Sequence, residues 1–478
     1  MSIARKIARN SGAIIAGYIA ENILNFALFV SLARYFGKDG FGKISFLAVF
    51  FFFFSSTDNL LIRPILVREM SRDKGNSPVI IGNGLIIRLL FAFVSVIALW
   101  IAVWAARSPF DVVQLAFFTS ISLIMASLGS SYETIFEVNF RIWYFKLISL
   151  IILAATLLGL YIVIYLKAGL LHFYVLSLIL SFAAFGFIRH YAGKLIRPEF
   201  RIDLKLWKLI FQESWPLLLT ALFIFIYHRI DQVLLLRFRG AQEVGAYAAA
   251  VKLAEMLSII PVALKVSILP LMSAYFRDCP EKITRIYRAS FKYLLFLIIP
   301  LAVWGSIFSG RIISLIYGAE FAASGPALSI LIWAEVFVFI GVVNNAILIA
   351  TNKQILDPVF TGTSAAVNLI LNLVLIPKYG FVGAAAGSLF SYAVGPVMGY
   401  FIKTTRPYSG SMLYYSLRPL CGSLVMFLCV YPLREMFWIS VLVSPVIYLP
   451  VMYIIKGIDK EDARMIRSLI PAFNKYAE

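Results

Sequence analysis

Two stretches of this sequence decide its organisation: LARYFGKDGFG, from Leu32 to Gly42, and LLRFRGAQEVG, from Leu235 to Gly245. The residues that recur 203 positions apart are Arg34, Gly37 and Gly42 in the first stretch and Arg237, Gly240 and Gly245 in the second. Each stretch follows one apolar run and leads into another. This repeat predicts two related halves, each built from a series of membrane spans.

The composition around these stretches is strongly apolar. Of 478 residues, 61% are hydrophobic and only 14% are charged, whereas soluble domains are about half apolar and about a quarter charged. This composition excludes a water-soluble fold. Cys279, Cys421 and Cys429 form no CxxC pair, so neither a disulfide framework nor a metal site is expected.

Apolar runs of about 20 residues between charged or Gly/Pro-marked breaks predict about fourteen membrane spans. The first series is placed near residues 10–32, 43–62, 79–104, 112–134, 145–166 and 169–189. The second series is placed near residues 215–236, 245–272, 290–309, 326–350, 358–376, 380–402, 412–433 and 437–455. Spans one to six and seven to twelve correspond to the repeat, and the last two spans are an appendage.

The basic residues orient these spans. A net charge of +19 would suggest nucleic acid in a soluble protein, but here Lys and Arg lie mainly in short segments between apolar runs. Alternate connections receive about 29 and about 10 of them, four intramembrane ones left aside. This asymmetry predicts a multi-pass membrane protein with both termini cytoplasmic. No nucleic-acid partner and no separate targeting peptide are expected.

The domain plan follows from the longest polar connection. We predict an N-lobe of spans one to six (1–190), a cytoplasmic linker with an interfacial helix (191–214), a C-lobe of spans seven to twelve (215–402), spans thirteen and fourteen (403–455) and a cytoplasmic amphipathic tail (456–478). The linker alternates apolar residues such as Leu204 and Trp207 with Lys205 and Lys208, as interfacial helices do. An ordinary solvated linker is the alternative.

Four segments resemble the polysaccharide-transporter branch of the multidrug/oligosaccharidyl-lipid/polysaccharide (MOP) exporter superfamily, the group of Wzx-type O-antigen flippases. They are LARYFGKDGFGKISF (32–46), the segment from SWPLLLT to AVKLAE (214–255), IISLIYGAEFAASGPALSIL (312–331) and NLILNLVLIPKYGFVGAAAGSLFSY (368–392). Their order and spacing are similar to the family over nearly the whole chain.

The resemblance implies an all-α integral membrane fold of about fourteen helices, with two pseudo-symmetric six-helix lobes in a V and two further C-terminal helices, as in MATE-like proteins. It also implies a flippase rather than an enzyme. Its cargo would be an undecaprenyl-pyrophosphate-linked oligosaccharide repeat unit, of O-antigen or another surface polysaccharide, carried from the inner to the outer leaflet by alternating access. Expected partners are this lipid-linked substrate, membrane lipids and polysaccharide polymerase or assembly proteins.

No cofactor is expected. The sequence contains no GxxxxGK[ST] nucleotide-binding loop. An H⁺ or Na⁺ gradient, the membrane potential or the substrate gradient would therefore drive transport.

Span one carries the first candidate site residues. Tyr18, Glu21, Asn22 and Asn25 lie three and four residues apart, so they share one helix face. A polar stripe is costly against lipid. It therefore either lines a cargo cavity or packs against other helices through hydrogen bonds.

Arg88 and Lys265 are two of the four cations within predicted spans. Arg88 is about nine residues into span three and is a candidate phosphate ligand, because guanidinium matches phosphate oxygens in a bidentate way. Its alternative role is to pair with Glu21 or another buried carboxylate. Lys265 in span eight is a similar candidate that could instead extend its ammonium to the membrane interface.

Span seven carries three further candidates. The repeat offset places His228 at the position of Asn25, and its ordinary pKa near neutrality suits ion coupling. A helix-packing hydrogen bond is its alternative role. Arg229 and Asp231 are two residues apart and face different sides of the helix. Asp231 resembles a recurrent acidic position of the family, with either a packing or a coupling role.

The second half holds another polar stripe. Ser364, Asn368 and Asn372 follow one another at four-residue steps in span eleven, and Glu335 adds an acid to span ten. These side chains could contact sugar hydroxyls or a coupling cation. Alternatively they are polar contacts between closely packed helices.

Other functions remain as alternatives at this point. A related MOP exporter of drugs or metabolites and a lipid II flippase would share the fold. A membrane glycosyltransferase or polymerase would use the same lipid-linked sugars, but such chemistry needs paired acids and a sizeable external loop. No external connection here is longer than about 15 residues by the span assignment. A purely structural membrane protein would not require intramembrane cations.

Overall fold

The computed structural model describes residues 3–57, 62–278, 280–401, 406 and 412–457. These residues form fourteen α-helices and contain no strand. The helices are α1 (Ile3–Thr57), α2 (Arg63–Arg72), α3 (Ser77–Ala105), α4 (Phe110–Val138), α5 (Ile142–Tyr165), α6 (Leu170–Gly193), α7 (Leu204–Arg239), α8 (Ala241–Glu255), α9 (Ile259–Asp278), α10 (Pro280–Tyr317), α11 (Gly325–Ala350), α12 (Asp357–Phe401), α13 (Met412–Val430) and α14 (Phe437–Ile454). The side chain of Tyr18, Cys279 and the predicted tail beyond residue 457 lie outside the described residues.

Eleven stretches of the described chain are long and apolar enough to cross a membrane. One of them, Gln354–Phe401, bends at Gly380 and so contains two of the predicted spans. Helix α1 bends in the same way at Gly37, between predicted spans one and two. The predicted all-α, multi-span membrane fold is therefore confirmed.

Span eight differs from its prediction as one continuous helix over 245–272. Helix α8 ends at Glu255, a 3-10 turn follows at Met256–Ser258, and α9 begins at Ile259. Pro261 lies in the first turn of α9, where its missing N–H costs no helical hydrogen bond. Sequence hydropathy missed this break because the turn is itself largely apolar.

The helices group into two compact units. The first comprises Met1–Ala248 and Asn372–Phe381, and the second comprises Ala249–Leu371 and Val382–Glu478. In the first unit α1 packs on α5 and α7, and α4 packs on α3 and α6. In the second, α10 packs on α9, α11 and α13, and α13 packs on α14. The bounds predicted for the lobes and linker stay a prediction.

Two side chains, one at the end of α7 and one at the start of α8, bind the backbone of residues 372–381 within the first unit. Arg239 donates from Nε to the Ile376 carbonyl (3.2 Å) and from Nη2 to the Pro377 carbonyl (2.8 Å). Glu243 Oε2 accepts from the backbone N–H of Phe381 at 2.8 Å. A cation thus binds the carbonyls before the Gly380 bend and an anion binds the N–H after it, as helix ends favour.

The repeated glycines adopt matching backbone conformations. Gly37 has φ 61° and ψ −172°, and Gly240 has φ 87° and ψ 176°. Both φ values lie in the region that side chains with a Cβ rarely adopt. Each glycine ends one helix and starts the next, so the sequence repeat corresponds to a repeated helix–glycine–helix corner.

The second glycines of the repeat bring these two corners into contact. A Cβ on Gly42 would overlap the carbonyl oxygen of Ala241, and a Cβ on Gly245 would overlap the carbonyl oxygen of Lys38. The two backbones therefore touch directly within the first unit. Only glycine at both positions permits this approach.

A buried amide attaches the linker to α3. Asn83 is fully buried, and its Nδ2 donates to the carbonyls of Val79 and Arg201, both at 2.8 Å. Its Oδ1 accepts from the backbone N–H of Asp203 at 3.0 Å and from Trp207 Nε1 at 2.7 Å. One side chain thus bonds to its own helix, to the linker and to the first turn of α7.

The linker also approaches α3 through backbone contacts. The N–H of Glu199 donates to the Pro78 carbonyl at 2.9 Å, and a Cβ on Gly82 would overlap the Glu199 carbonyl. Helix α7 then starts at Leu204, capped by the Asp203 carboxylate, and continues without interruption to Arg239. The predicted interfacial segment is thus helical and forms the first turns of α7.

We expect Gly42→Ala to lower the stability of the folded protein by about 1–3 kcal/mol, because the added methyl group forces two backbones apart. Thermal unfolding of the purified protein in detergent measures this loss. Gly186→Ala is the matched control, since a Cβ there meets nothing within 4 Å. Equal melting temperatures for the two variants would contradict the direct backbone contact.

Candidate transport site

Arg88 is fully buried in the first unit. Its Nη1 and Nη2 both donate to Thr134 Oγ1 on α4, at 3.2 Å each. Ser127 of the same helix donates to the Arg88 carbonyl at 2.9 Å. The structure therefore places this cation in the α3–α4 packing, and its pairing with a buried carboxylate stays a prediction. Its role as a phosphate ligand stays a prediction.

The span-one stripe has one charged contact. Glu21 Oε2 accepts from Lys146 Nζ of α5 at 2.9 Å. Asn22 is exposed and Asn25 is half-buried, whereas the side chain of Tyr18 lies outside the described residues. Sequence reasoning missed Lys146 as the partner of Glu21, because the two are 125 residues apart.

Sequence reasoning also missed a charged cluster that joins α2 to α4. Arg63 Nη2 lies 2.9 Å from Glu133 Oε1, and Arg63 Nε lies 2.8 Å from Glu137 Oε2. The two acids are four residues apart on one helix face, where they would repel each other without a cation. That spacing was the signal available in the sequence.

A second missed pair connects α2 to α7 outside the apolar spans. Arg68 donates to both carboxylate oxygens of Glu213, at 2.9 and 3.0 Å. These hydrogen bonds lower the pKa of Glu213 from its ordinary value. The pair therefore contributes at neutral pH and weakens as the pH falls through this lowered pKa. Because both side chains are more than a third exposed, solvent screens the pair and its contribution to stability is small.

The span-seven candidates face three different neighbours. Asp231 is buried and accepts a hydrogen bond from the hydroxyl of Tyr247 on α8. The Arg229 guanidinium lies 4.5 Å from the centre of the Phe52 ring, a cation–π contact. His228 packs edge-on against the tyrosine that precedes it. The contacts described for Arg229 and Asp231 are thus with different neighbours, Phe52 and Tyr247.

In the second unit, Lys265 belongs to a three-residue chain of hydrogen bonds. Lys265 Nζ donates to Asn345 Oδ1 of α11 at 2.6 Å, and Asn345 Nδ2 donates to Asp357 Oδ1 at 2.8 Å. The Asn345 amide thus bridges the Lys265 ammonium and the Asp357 carboxylate, so that these hydrogen bonds link the two charges through a neutral group. Lys265 is half-buried, so its ammonium remains within reach of a further ligand.

The break between α8 and α9 has a polar partner. Ser258, the last residue of the 3-10 turn, donates to Glu335 Oε2 on α11 at 2.5 Å. Glu335 is only 4% exposed. Nine residues further along α11, about two and a half turns, Asn344 accepts from the buried Tyr287 hydroxyl at 2.6 Å. Helix α11 thus presents polar groups to neighbours on opposite faces.

The stripe of Ser364, Asn368 and Asn372 is buried throughout. Asn368 Nδ2 donates to Ser391 Oγ, beyond the Gly380 bend of α12, at 3.1 Å. This contact is the helix-packing role considered above, for Asn368. A role of the stripe in binding sugar stays a prediction.

These features define a class of protein: a polytopic α-helical membrane protein with charged and amide side chains bonded inside its membrane segments. Such intramembrane groups are costly and mark transport pathways in membrane proteins. In the part of the chain that the structure describes, no three His, Cys, Asp or Glu side chains are grouped as metal ligands.

Comparison with known proteins identifies the family. The family model described as polysaccharide biosynthesis protein matches residues 7–276, which is more than half of the chain. The chain therefore belongs to the polysaccharide biosynthesis protein family. A second model, MatE, matches residues 216–374.

Two curated proteins of the archaeon Haloferax volcanii are similar in part. The probable low-salt glycan biosynthesis flippase Agl15 is 28% identical over 175 residues, which is 36% of this chain and 37% of that protein. The probable flippase AglR is 29% identical over 181 residues, again 36% and 37%. The chain thus spans little more than a third of the length of these relatives.

Solved structures share the fold over much greater length. The lipid II flippase MurJ in an inward closed conformation has a TM-score of 0.74 at 18% identity and covers 92% of this chain and 98% of its own. A MATE family multidrug resistance transporter in an inward-facing conformation has a TM-score of 0.66 at 14% identity, with 82% and 95% covered. These likenesses confirm the expected MOP-type fold.

We expect Asn345→Leu to destabilise the protein by about 1–3 kcal/mol, because it leaves Lys265 and Asp357 without their shared partner. Thermal unfolding in detergent checks this loss. Gln354→Leu, an exposed position of the second unit, controls for the change from amide to leucine. A melting temperature of Asn345→Leu no lower than that of the control would contradict the relay.

Proposed function

We propose that this protein is a flippase for an anionic lipid-linked oligosaccharide, which it carries across the inner membrane by alternating access. Membership of the polysaccharide biosynthesis protein family, together with the MOP-type fold, supports a transporter of this kind. The proposed cargo is an undecaprenyl-pyrophosphate-linked repeat unit of O-antigen or another surface polysaccharide. Polysaccharide polymerase or assembly proteins are its proposed partners.

The choice of an anionic cargo rests on one observation, the hydrogen bonding of the Lys265 ammonium. An ammonium can donate three hydrogen bonds, and Lys265 donates to a neutral amide oxygen rather than directly to a carboxylate. Its charge is therefore incompletely neutralised at a half-buried position in a membrane segment. A phosphate oxygen is the ligand that would neutralise this charge and accept a further hydrogen bond from the ammonium. Arg88, being fully buried, is a second choice.

The charge asymmetry of the connecting segments supports the orientation, with both termini in the cytoplasm of a bacterial cell. In this orientation cargo enters from the leaflet where lipid-linked precursors are exposed to cytoplasmic enzymes. The proposal includes no enzymatic step and no cofactor. An H⁺ or Na⁺ gradient is the proposed source of energy.

Reconstituted flipping tests the proposal. Proteoliposomes that contain the purified protein should move a polyprenyl-pyrophosphate-linked oligosaccharide between leaflets, and Lys265→Met should slow this by about ten- to a hundredfold, the range expected for losing one charge-assisted hydrogen bond. Lys265→Arg should keep part of the rate. Lys378→Met, an exposed position, is the matched control and should flip normally.

The same vesicles distinguish the alternatives. The MatE match makes an exporter of drugs or metabolites the second candidate, and the MurJ-like fold adds lipid II as a possible cargo. Transport of small cationic dyes without transport of the lipid-linked oligosaccharide would overturn the proposal in favour of the exporter. Movement of lipid II alone would overturn the assigned cargo.

We assign ion coupling to Glu335, because it is a buried acid beside a break in a helix. Glu335→Gln should abolish the response of flipping to an imposed pH or Na⁺ gradient while leaving slow, gradient-independent flipping. Glu281→Gln, an exposed acid in the first turn of α10, should respond as the parent protein does. A full gradient response in Glu335→Gln would remove this residue from the coupling mechanism, with Asp231 and His228 as the next candidates.

A further inference from the structure

A cavity of about 830 Å³ lies in the first unit, where α3, α4 and α6 meet the linker. Helix α3 begins at this end of the unit, and α4 and α6 finish there. The charge distribution assigns this end to the cytoplasmic side. The volume of the cavity lies in the range of small-molecule sites.

The mouth of this cavity is basic. Arg189, His190, Lys194 and Arg197 line it, and all four are exposed. Lys194 also lies 5.2 Å from the centre of the Tyr191 ring. Within the described residues, no ion pair joins Arg189, Lys194 or Arg197 to a carboxylate, and no Asp or Glu lines the cavity. Three uncompensated cations at one opening favour an anionic ligand.

The inner walls are apolar. They are formed by branched and aromatic side chains from three helices, among them Leu85 and Leu89 of α3, Leu128 of α4 and Phe185 of α6. Tyr132 is the one uncharged lining residue with a side-chain hydrogen-bonding group besides His190. An oligosaccharide needs many such groups, whereas hydrocarbon chains need none. The walls therefore suit acyl chains beneath an anionic headgroup.

The linker that closes the cavity is fixed rather than loose. Pro198 and Phe200 of the linker line it, and they flank Glu199, whose backbone is held against α3 as described above. The Asn83 hydrogen bonds fix the chain immediately beyond. Lys194 and Arg197 are thus presented by a segment with a defined position over the apolar walls, and Arg189 is presented by α6.

We propose that this cavity is a binding site for an anionic phospholipid of the cytoplasmic leaflet, with its phosphate on Arg189, Lys194 and Arg197 and its acyl chains along α3, α4 and α6. The bound lipid would join the linker to the membrane-facing side of these helices. This site is separate from Lys265, and it does not depend on the flippase proposal.

Binding of fluorescent phosphatidylglycerol to the purified full-length protein in detergent tests this site. The variant Arg189→Gln/Lys194→Gln/Arg197→Gln should bind on the order of a hundredfold more weakly, since each cation near an anionic lipid contributes about fivefold. The matched variant Arg201→Gln/Lys205→Gln/Lys208→Gln removes three exposed charges from the same linker region. It should bind within about threefold of the parent protein.

A further variant and a second lipid make the outcome decisive. Leu128→Trp fills the apolar part without changing charge and should weaken binding as well, which keeps the test valid if the triple variant fails to fold. Labelled phosphatidylcholine should bind poorly. Equal binding of phosphatidylcholine, or parental binding by the triple variant and by Leu128→Trp, would overturn the proposal. So would displacement of phosphatidylglycerol by far lower concentrations of a polyprenyl phosphate, which would place the cavity on a cargo path instead.

Discussion

The structure depends on one constraint: in hydrocarbon every backbone N–H and C=O must find its partner within the protein. Helices satisfy this requirement along their length, and the difficulty is confined to the places where helices stop. In this chain, different residues satisfy or redirect the backbone at different helix ends. Gly37, Gly240 and Gly380 turn the chain with positive φ, and Arg239 and Glu243 bind the backbone groups around the last of them.

The same requirement explains how intramembrane side chains are arranged. Buried or half-buried cations and acids are bonded to hydroxyl or amide groups in several cases: Arg88 to Thr134, Glu335 to Ser258 and Lys265 to Asn345. At Lys265, the neutral partner accepts a hydrogen bond while leaving part of the charge available to a ligand. A charge held in this way can exchange partners at lower cost than one locked in a salt bridge.

Hydropathy and basic-residue counts were sufficient to predict the helical membrane fold, because span length is set by the bilayer and not by tertiary contacts. The repeat offset also identified the paired corners, since only glycine fits the conformation at Gly37 and Gly240. The break at Met256–Ser258 could not be predicted, because its residues are as apolar as the helices around it. Likewise, the partners of Lys265 and Glu21 lie 80 and 125 residues away. Depth in the membrane identifies a buried charge but not the side chain it meets.

The single amide of Asn83 gives the linker a particular dynamic character. Its four bonds reach α3, residues 201 and 203, and Trp207 at once, so rotation of this side chain breaks them together rather than in turn. Amide protons at the start of α7 and in the adjoining linker should therefore exchange with solvent in one cooperative opening, with protection set by α3. The connection after α6 should therefore open together with the start of α7 rather than move as a loose tether.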